Sequence, residues 1–289
     1  LYSERRRRGD GTLTSKERAV SGLRILLVAS LIYSYSYIDA ILALLAEGGL
    51  AFLGVSWDYL DANQNLGYVC SALVLCFIYG GLLKFVKRNY EERPATLKLR
   101  PVSGALQMLL IGLGVGGVSL LWLNFAELIQ KSIPALQASY ETFNTEMGAF
   151  ENGDYIWMLL EVSIIGPMVE ELLFRGLVFH FVERDTGKEG AAIFISALLF
   201  GIWHGIFVQG VYTFLIGLVL GYLYAKTRNI IWPYLVHFVN NFSGTLPPGF
   251  DGEKATALVN LASLLCVPVL LFLLLRMQKR TKQSEKPLP

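Results

Sequence analysis

The chain has 289 residues, of which 54% are hydrophobic and 17% are charged. A soluble domain carries roughly 25% charged residues, so this composition disfavours both a disordered chain and a soluble α/β enzyme. The formal net charge of +2 is small, and the long apolar runs indicate a polytopic membrane protein.

Eight apolar segments follow one another along the chain, and each is predicted to form a membrane-spanning helix. They cover residues 23–46, 67–86, 102–127, 157–180, 191–207, 211–225, 230–246 and 257–275. A span needs about 20 residues, so the shorter fifth, sixth and seventh segments are expected to be tilted or closely packed. The predicted fold class is all-α, a polytopic membrane protein with about eight transmembrane helices.

Basic residues are distributed unevenly between the loops. If the N-terminus is inside, the inner segments hold 21 of the 25 Lys and Arg residues and the outer segments hold 2. Cytoplasmic loops of membrane proteins carry such an excess. Both termini are therefore predicted to be cytoplasmic, in a multi-pass protein that we expect in the cell membrane.

The segments divide the chain into four parts. A basic cytoplasmic arm (1–22) precedes three accessory transmembrane helices and an outside loop (23–154), a four-helix core (155–246), and the last helix with a basic cytoplasmic tail (247–289). The arm contains four consecutive arginines, at residues 5–8. Beside a membrane helix such a run is expected to fix topology and contact anionic lipid, so no nucleic-acid partner is predicted.

Ionisable residues are costly inside a membrane, so those within the segments are candidates for function. In the fifth and seventh segments the only ionisable residues are His204 and His237. The fourth segment is different and carries Glu161, Glu170, Glu171 and Arg175, with His180 at its inner end.

The two adjacent glutamates of the fourth segment are predicted to differ in role. Glu171 and Arg175 are four residues apart with the acid first, which favours an ion pair on one helix face. Glu170 lies about 100° away around the helix and has no basic partner within a turn. It must therefore find a partner on another helix, contact water or bind a proton. Pro167 is expected to kink the helix near residue 163 and to leave carbonyl groups free.

The fifth segment presents a second set of candidates around its histidine. Phe200 and His204 are four residues apart and share a helix face. Gly201 and Gly205 form a pair of small residues that is expected to let another helix approach closely.

In the seventh segment, His237 and Asn241 also share a face. With a rise of about 1.5 Å per residue, Glu170, His204 and His237 lie roughly 15, 20 and 10 Å from the inner ends of their segments. We therefore expect the three side chains to meet in one layer of the cytoplasmic half.

These residues resemble the three motifs of the CAAX-processing and bacteriocin-immunity (CPBP, or Abi) family of intramembrane proteases, which includes the type II CAAX prenyl endopeptidases. The motifs are Glu170-Glu171-xxx-Arg175, then Phe200-xxx-His204, then His237-xxx-Asn241. Gly-Pro precedes the glutamates and Phe-Arg-Gly follows them, as in the family. The resemblance covers roughly residues 155–245, and the first three spans show no specific resemblance.

The resemblance implies an endopeptidase that hydrolyses a peptide bond of a membrane-associated or prenylated, CAAX-like protein or peptide. It implies that Glu170 and His204 position and activate the attacking water. His237 and Asn241 would stabilise the oxyanion, while Glu171, Arg175 and Phe200 would support the site. The resemblance thus implies a membrane-embedded core that acts on a membrane-associated substrate.

Two alternatives stay open from the sequence. The chain lacks the H-E-x-x-H spacing of many zinc proteases, so a metal-free site is favoured and no cofactor is expected. If a metal such as zinc is required, Glu170, His204 and His237 would be its ligands. The second alternative is a non-proteolytic membrane protein, either an immunity-type scaffold or a transporter, because buried carboxylates and histidines also build proton relays.

Overall fold

The computed structural model describes residues 15–89, 92–150 and 153–284, and within these ranges the chain forms helices and no strand. We number the helices in chain order. They are α1 (Ser15–Phe52), α2 (Trp57–Ala62), α3 (Gln64–Asn89), α4 (Pro101–Gln130), α5 (Pro134–Phe150), α6 (155–186), α7 (Glu189–Trp203), α8 (Phe207–Thr227), α9 (Ile231–Gly244) and α10 (Glu253–Ser284). The all-α prediction is confirmed. The run of arginines in the basic arm lies outside the described residues.

Each of the eight predicted segments corresponds to a helix of its own, but the fifth (191–207) and seventh (230–246) extend beyond the ends of α7 and α9. Of the helices in the described ranges, five are long and apolar enough to cross a membrane: Ser30–Phe52, Gln64–Asn89, Pro101–Gln130, Phe207–Thr227 and Glu253–Gln283. Helices α7 and α9 have only 15 and 14 residues. At 1.5 Å per residue they extend to about 22 Å, less than the roughly 30 Å of a bilayer core.

Helix α6 is long but irregular. It passes through five consecutive parts: α-helical Tyr155–Met158, π-helical Leu159–Ile165, α-helical Gly166–Glu171, π-helical Leu172–Val178 and α-helical Phe179–Thr186. The first wide turn lies immediately before Pro167, where the sequence predicts a kink. Because π-turns are uncommon and often mark functional sites, α6 is the element to examine for chemistry.

The core places α6 in the interior of the bundle. Its residues Val169, Leu173, Phe174 and Leu177 are at most 1% exposed. They pack with buried residues of α1, α3 and α7 in one apolar cluster. Helices α4, α8, α9 and α10 form a second cluster. The glutamates of α6 therefore lie between two apolar walls.

A network of charges joins α6, α7 and α8 at the predicted cytoplasmic end. Arg228 follows α8 in a left-handed conformation with φ 50° and donates two hydrogen bonds of 2.7 Å to Glu183 of α6. It also lies 3.5 Å from Glu189 at the start of α7. The Nδ1 atom of His180 is 3.9 Å from Glu92 in this network. His180 therefore belongs to this charged end of the bundle and not to the group formed by the other two histidines.

The loop that is predicted to lie outside contains the helix α5, which packs against α4 and the start of α8. Its buried residues Leu136 and Phe143 join Ala126, Ile206 and Val208 in a small apolar cluster. The loop is thus attached to the segment that follows His204.

Candidate active site

The predicted ion pair on α6 is present and fully buried. Arg175 Nη1 lies 3.0 Å from Glu171 Oε1, and both side chains are 0% exposed. The second guanidinium nitrogen, Nη2, is 3.5 Å from the carbonyl oxygen of Gly217 on α8. Because two opposite charges neutralise each other here, the pair can lie in an apolar interior.

The same oxygen of Glu171 has a second partner, which the sequence does not reveal. His237 Nδ1 on α9 lies 3.0 Å from Glu171 Oε1. An ionised carboxylate only accepts, so Nδ1 carries the hydrogen and donates it. This bond fixes the ring orientation and leaves Nε2 as the atom that faces the other glutamate.

Glu170 meets a partner on another helix, as the sequence predicts. Its Oε2 lies 3.7 Å from His237 Nε2, and its side chain is 16% exposed. This distance is longer than a hydrogen bond, and Oε2 makes no hydrogen bond within the described residues. The carboxylate therefore has an acceptor site free beside a histidine nitrogen.

His204 lies at the end of α7 and not within a continuous helix. Its Nδ1 is 2.8 Å from the carbonyl oxygen of Phe200, which can only accept, so Nε2 is the free ring nitrogen. The predicted span 191–207 stops at Trp203, and Gly205 adopts a left-handed φ of 75°. This turn is possible because glycine has no Cβ.

The expectation for the two glycines is correct for one of them only. A Cβ added to Gly201 would lie 2.6 Å from the carbonyl oxygen of Gly210, so Gly201 does allow α8 to approach closely. A Cβ on Gly205 would meet nothing within 4 Å. Gly205 serves the turn after His204 and not helix packing, because α7 ends before it.

Phe200 joins the three motifs. Its ring is 1% exposed, with the Arg175 guanidinium carbon 4.4 Å from its centroid. The rings of His204 and His237 approach the same phenylalanine at 4.7 and 5.8 Å, nearly perpendicular to it. The structure thus brings the residues of all three motifs together around one aromatic ring.

Asn241 is close to this group but is already engaged with the backbone. Its Nδ2 donates to the carbonyl oxygen of Val162 at 2.8 Å, and its Oδ1 accepts from Asn240 at 2.9 Å. In the π-turn, the amide of Gly166 bonds to the Glu161 carbonyl. The next donor in that series would be residue 167, which is proline and has no N–H. Asn241 therefore binds a carbonyl that Pro167 leaves free.

Two further side chains beside the site come from α1, which the sequence treats as accessory. Asp39 accepts a 2.6 Å hydrogen bond from Ser71 of α3 and interacts electrostatically with Glu161 and Glu170. Tyr35 is 6% exposed, and its ring lies 5.0 Å from that of Trp203. No local pattern predicts these contacts, since they depend on how α1 packs against the core.

The conditional zinc site concerns Glu170, His204 and His237. Within the described part of the chain, no group of three His, Cys, Asp or Glu side chains is placed to hold a metal ion. His237 Nδ1 is bonded to Glu171, and His204 Nδ1 faces the backbone. Both histidines thus keep Nε2 free, which is also how a metal-ligating histidine is held, and metal dependence stays a prediction to be tested.

Comparison with known proteins agrees with this location. Residues 152–243, which include α6 to α8 and all of α9 except Gly244, match the family described as type II CAAX prenyl endopeptidase Rce1-like. The match covers 92 of the 289 residues and supports a CPBP/CAAX-type assignment for this segment. With its long apolar helices, the chain is a multi-pass integral membrane protein.

Two relatives extend the comparison. The chain is 32% identical over 84 residues to a candidate membrane peptidase of Bacillus subtilis, YdiL, in a match that spans 29% of this chain and about a third (34%) of that protein. It is 27% identical over 205 residues to an uncharacterized 24.3 kDa protein of Escherichia coli, covering 68% of this chain and 92% of that one. No solved structure matches the chain at comparable significance.

Proposed function

We propose that the protein is an intramembrane endopeptidase that hydrolyses a peptide bond of a membrane-associated protein or peptide. The observation that carries this proposal is the position of Glu170. Its free carboxylate oxygen lies 3.7 Å from His237 Nε2, within the segment that matches the prenyl endopeptidases. The buried Glu171 holds that histidine in place.

In the proposed reaction, Glu170 accepts a proton from water while His204 orients the water through Nε2. The hydroxide oxygen bonds to the scissile carbonyl carbon, and negative charge develops on the carbonyl oxygen. Glu170 then returns the proton to the leaving amine as the carbon–nitrogen bond breaks. Each atom is accounted for without a metal or cofactor.

The oxyanion would be stabilised by His237 and Asn241. His237, when protonated, donates from Nε2, because Nδ1 is bonded to Glu171. The amide of Asn241 has two N–H donors and uses one of them on Val162, so one remains. Such donors act strongly where bulk water is excluded.

We further propose that the eight helices span the membrane with both termini in the cytoplasm. The substrate would then reach Glu170 from the cytoplasmic leaflet. The chemistry of the cleaved peptides will show what the natural substrate is and whether it is prenylated. The partners are therefore a membrane-embedded peptide and the surrounding lipid, without nucleic acid.

The test compares the N-termini of membrane peptides in cells that express wild type, Glu170→Gln or Glu146→Gln. Glu146 is an exposed residue of α5 and serves as the matched control. We expect one or more new termini with wild type and Glu146→Gln and none with Glu170→Gln. If all three give the same termini while any phenotype persists, the protein acts by binding, and the peptidase proposal is wrong.

A further inference from the structure

A second candidate site lies toward the end of α3, beside Leu172 of α6. It is a groove of about 370 Å³ between α3 and α6. Its lining residues are Gly80, Leu83, Lys84, Lys87, Arg88 and Leu172. The groove is thus apolar at one end and basic at the other.

The basic end has more positive charge than the protein neutralises. Lys87 pairs with Glu92 at 3.2 Å. Lys84 and Arg88 are exposed and have no ion pair with any residue that the structure describes. They are four residues apart on a helix and so point to the same side. Two cations therefore face one groove without a counter-charge from the described chain.

The apolar end continues a face of α3 that is suited to lipid. Phe77 and Phe85 are 81% and 63% exposed, and α3 is one of the candidate spans. Gly80 borders open space, since a Cβ placed on it would meet nothing within 4 Å. The groove therefore lies where a lipid-facing helix surface passes into a basic helix end.

We propose that this groove binds the headgroup of an anionic phospholipid from the surrounding leaflet. The phosphate would lie between Lys84 and Arg88, and the first carbons of an acyl chain would lie along Gly80 and Leu172. Basic pockets between transmembrane helices recognise such headgroups through charge. A lipid bound there would contact both α3 and α6. Its contact on α6, Leu172, follows Glu171 in the sequence.

The test measures lipid binding to purified, delipidated full-length protein by native mass spectrometry, with dioleoyl-phosphatidylglycerol and dioleoyl-phosphatidylcholine as probes. Two variants alter the groove: Lys84→Gln with Arg88→Gln removes the charge, and Gly80→Leu fills the space. Two controls match them. Gly81→Leu adds the same bulk at a neighbouring glycine with open space around it. Arg276→Gln with Lys279→Gln removes two exposed charges from the end of α10.

We expect wild type and both controls to bind phosphatidylglycerol in preference to phosphatidylcholine. Each basic side chain near an anionic headgroup contributes about fivefold in affinity, so the charge variant should bind at least tenfold more weakly. Gly80→Leu should lose the tight site with all charges intact. If it fails to fold, the charge variant still decides the question.

Three results would overturn the proposal. Equal binding of the two lipids by wild type would exclude a headgroup site. An equal loss in the α10 variant would show that binding reflects net charge alone. A loss in Gly81→Leu as large as that in Gly80→Leu would place the lipid elsewhere on α3. None of these outcomes depends on whether the protein is a peptidase.

Discussion

A single carboxylate, that of Glu171, positions two side chains that the proposed chemistry needs. Its Oε1 binds both Arg175 Nη1 and His237 Nδ1 at 3.0 Å. Glu170, next to it, forms no hydrogen bond through Oε2 within the described residues. The two adjacent glutamates thus differ, because Glu171 bonds both Arg175 and His237 Nδ1, whereas Glu170 lies 3.7 Å from the other histidine nitrogen, Nε2.

This difference predicts opposite effects for two conservative substitutions. Glu170→Gln keeps the shape but cannot take a proton, so activity should be abolished while thermal stability stays nearly unchanged. Glu171→Gln leaves a buried cation without its counter-charge and should destabilise the fold by about 3–5 kcal/mol. The measurements are the melting temperature in detergent and the cleavage rate.

A double variant provides the control for this assignment. Glu171→Gln with Arg175→Met removes the unpaired cation, and the glutamine oxygen can still accept from His237. Part of the lost stability should return. An unfolded Glu170→Gln protein beside a stable but inactive Glu171→Gln protein would mean that the two roles are reversed.

The absence of a metal requirement is a second prediction for these residues. Activity should survive strong chelation, and purified protein should lack stoichiometric zinc, because the chain lacks the H-E-x-x-H spacing of many zinc proteases. The measurements are metal content by mass spectrometry and cleavage rate after chelation. Activity lost with chelator and restored specifically by zinc would make Glu170, His204 and His237 ligands.

Among the helices, α6 depends on a side chain from another element to complete its backbone bonding. Pro167 provides no N–H, and the Val162 carbonyl accepts from Asn241 of α9 instead. The wide turn also shifts the carbonyl groups that would otherwise bond within the helix. Asn241 therefore links α9 to the irregular part of α6.

This link predicts a coupling between Asn241 and Pro167. Asn241→Leu should destabilise the protein by about 1–3 kcal/mol, because it leaves a buried carbonyl without a donor. In a Pro167→Ala background the helix gains an N–H at that turn, so the same substitution should cost less. A double-mutant cycle on unfolding measures the difference. Strictly additive effects would show that the proline is not the reason for the bond.

The close contact between α7 and α8 depends on a single residue, Gly201. Gly201→Ala would place a Cβ 2.6 Å from the Gly210 carbonyl oxygen and 2.9 Å from Phe214 Cβ. Separating the helices should cost about 1–3 kcal/mol and move His204.

The matched control for this substitution is Gly190→Ala in the same helix, where an added Cβ meets nothing within 4 Å. It should leave the melting temperature unchanged or raise it slightly, since alanine favours the helix. Equal melting temperatures for the two variants would contradict the close approach.

For the whole molecule, the distribution of basic residues gives a topology that can be tested. Cysteines at positions 10 and 285, introduced after Cys70, Cys76 and Cys266 are replaced, should be labelled from the cytoplasmic side. Cysteines at positions 58 and 251 should be labelled from outside. The reason is the 21-to-2 division of Lys and Arg between the two faces. Labelling of the two termini from opposite sides would refute the eight-span arrangement.

The sequence by itself determined the features that depend on composition and local spacing. Apolar runs predict an all-helical membrane protein, since a lipid-exposed backbone must satisfy its own hydrogen bonds. The Glu171–Arg175 pair follows from two residues four positions apart on one helix. The three motifs identify the segment 155–245, and the family match covers nearly the same residues.

Only the tertiary structure decided how the motifs meet. The bond from His237 to Glu171 joins residues 66 positions apart, and that from Asn241 to Val162 joins residues 79 apart. Helical periodicity states which face a side chain occupies but not which neighbour covers that face. The crossing of α6, α7 and α9 around Phe200 supplies those neighbours, so the partner of each histidine nitrogen is a property of the packing.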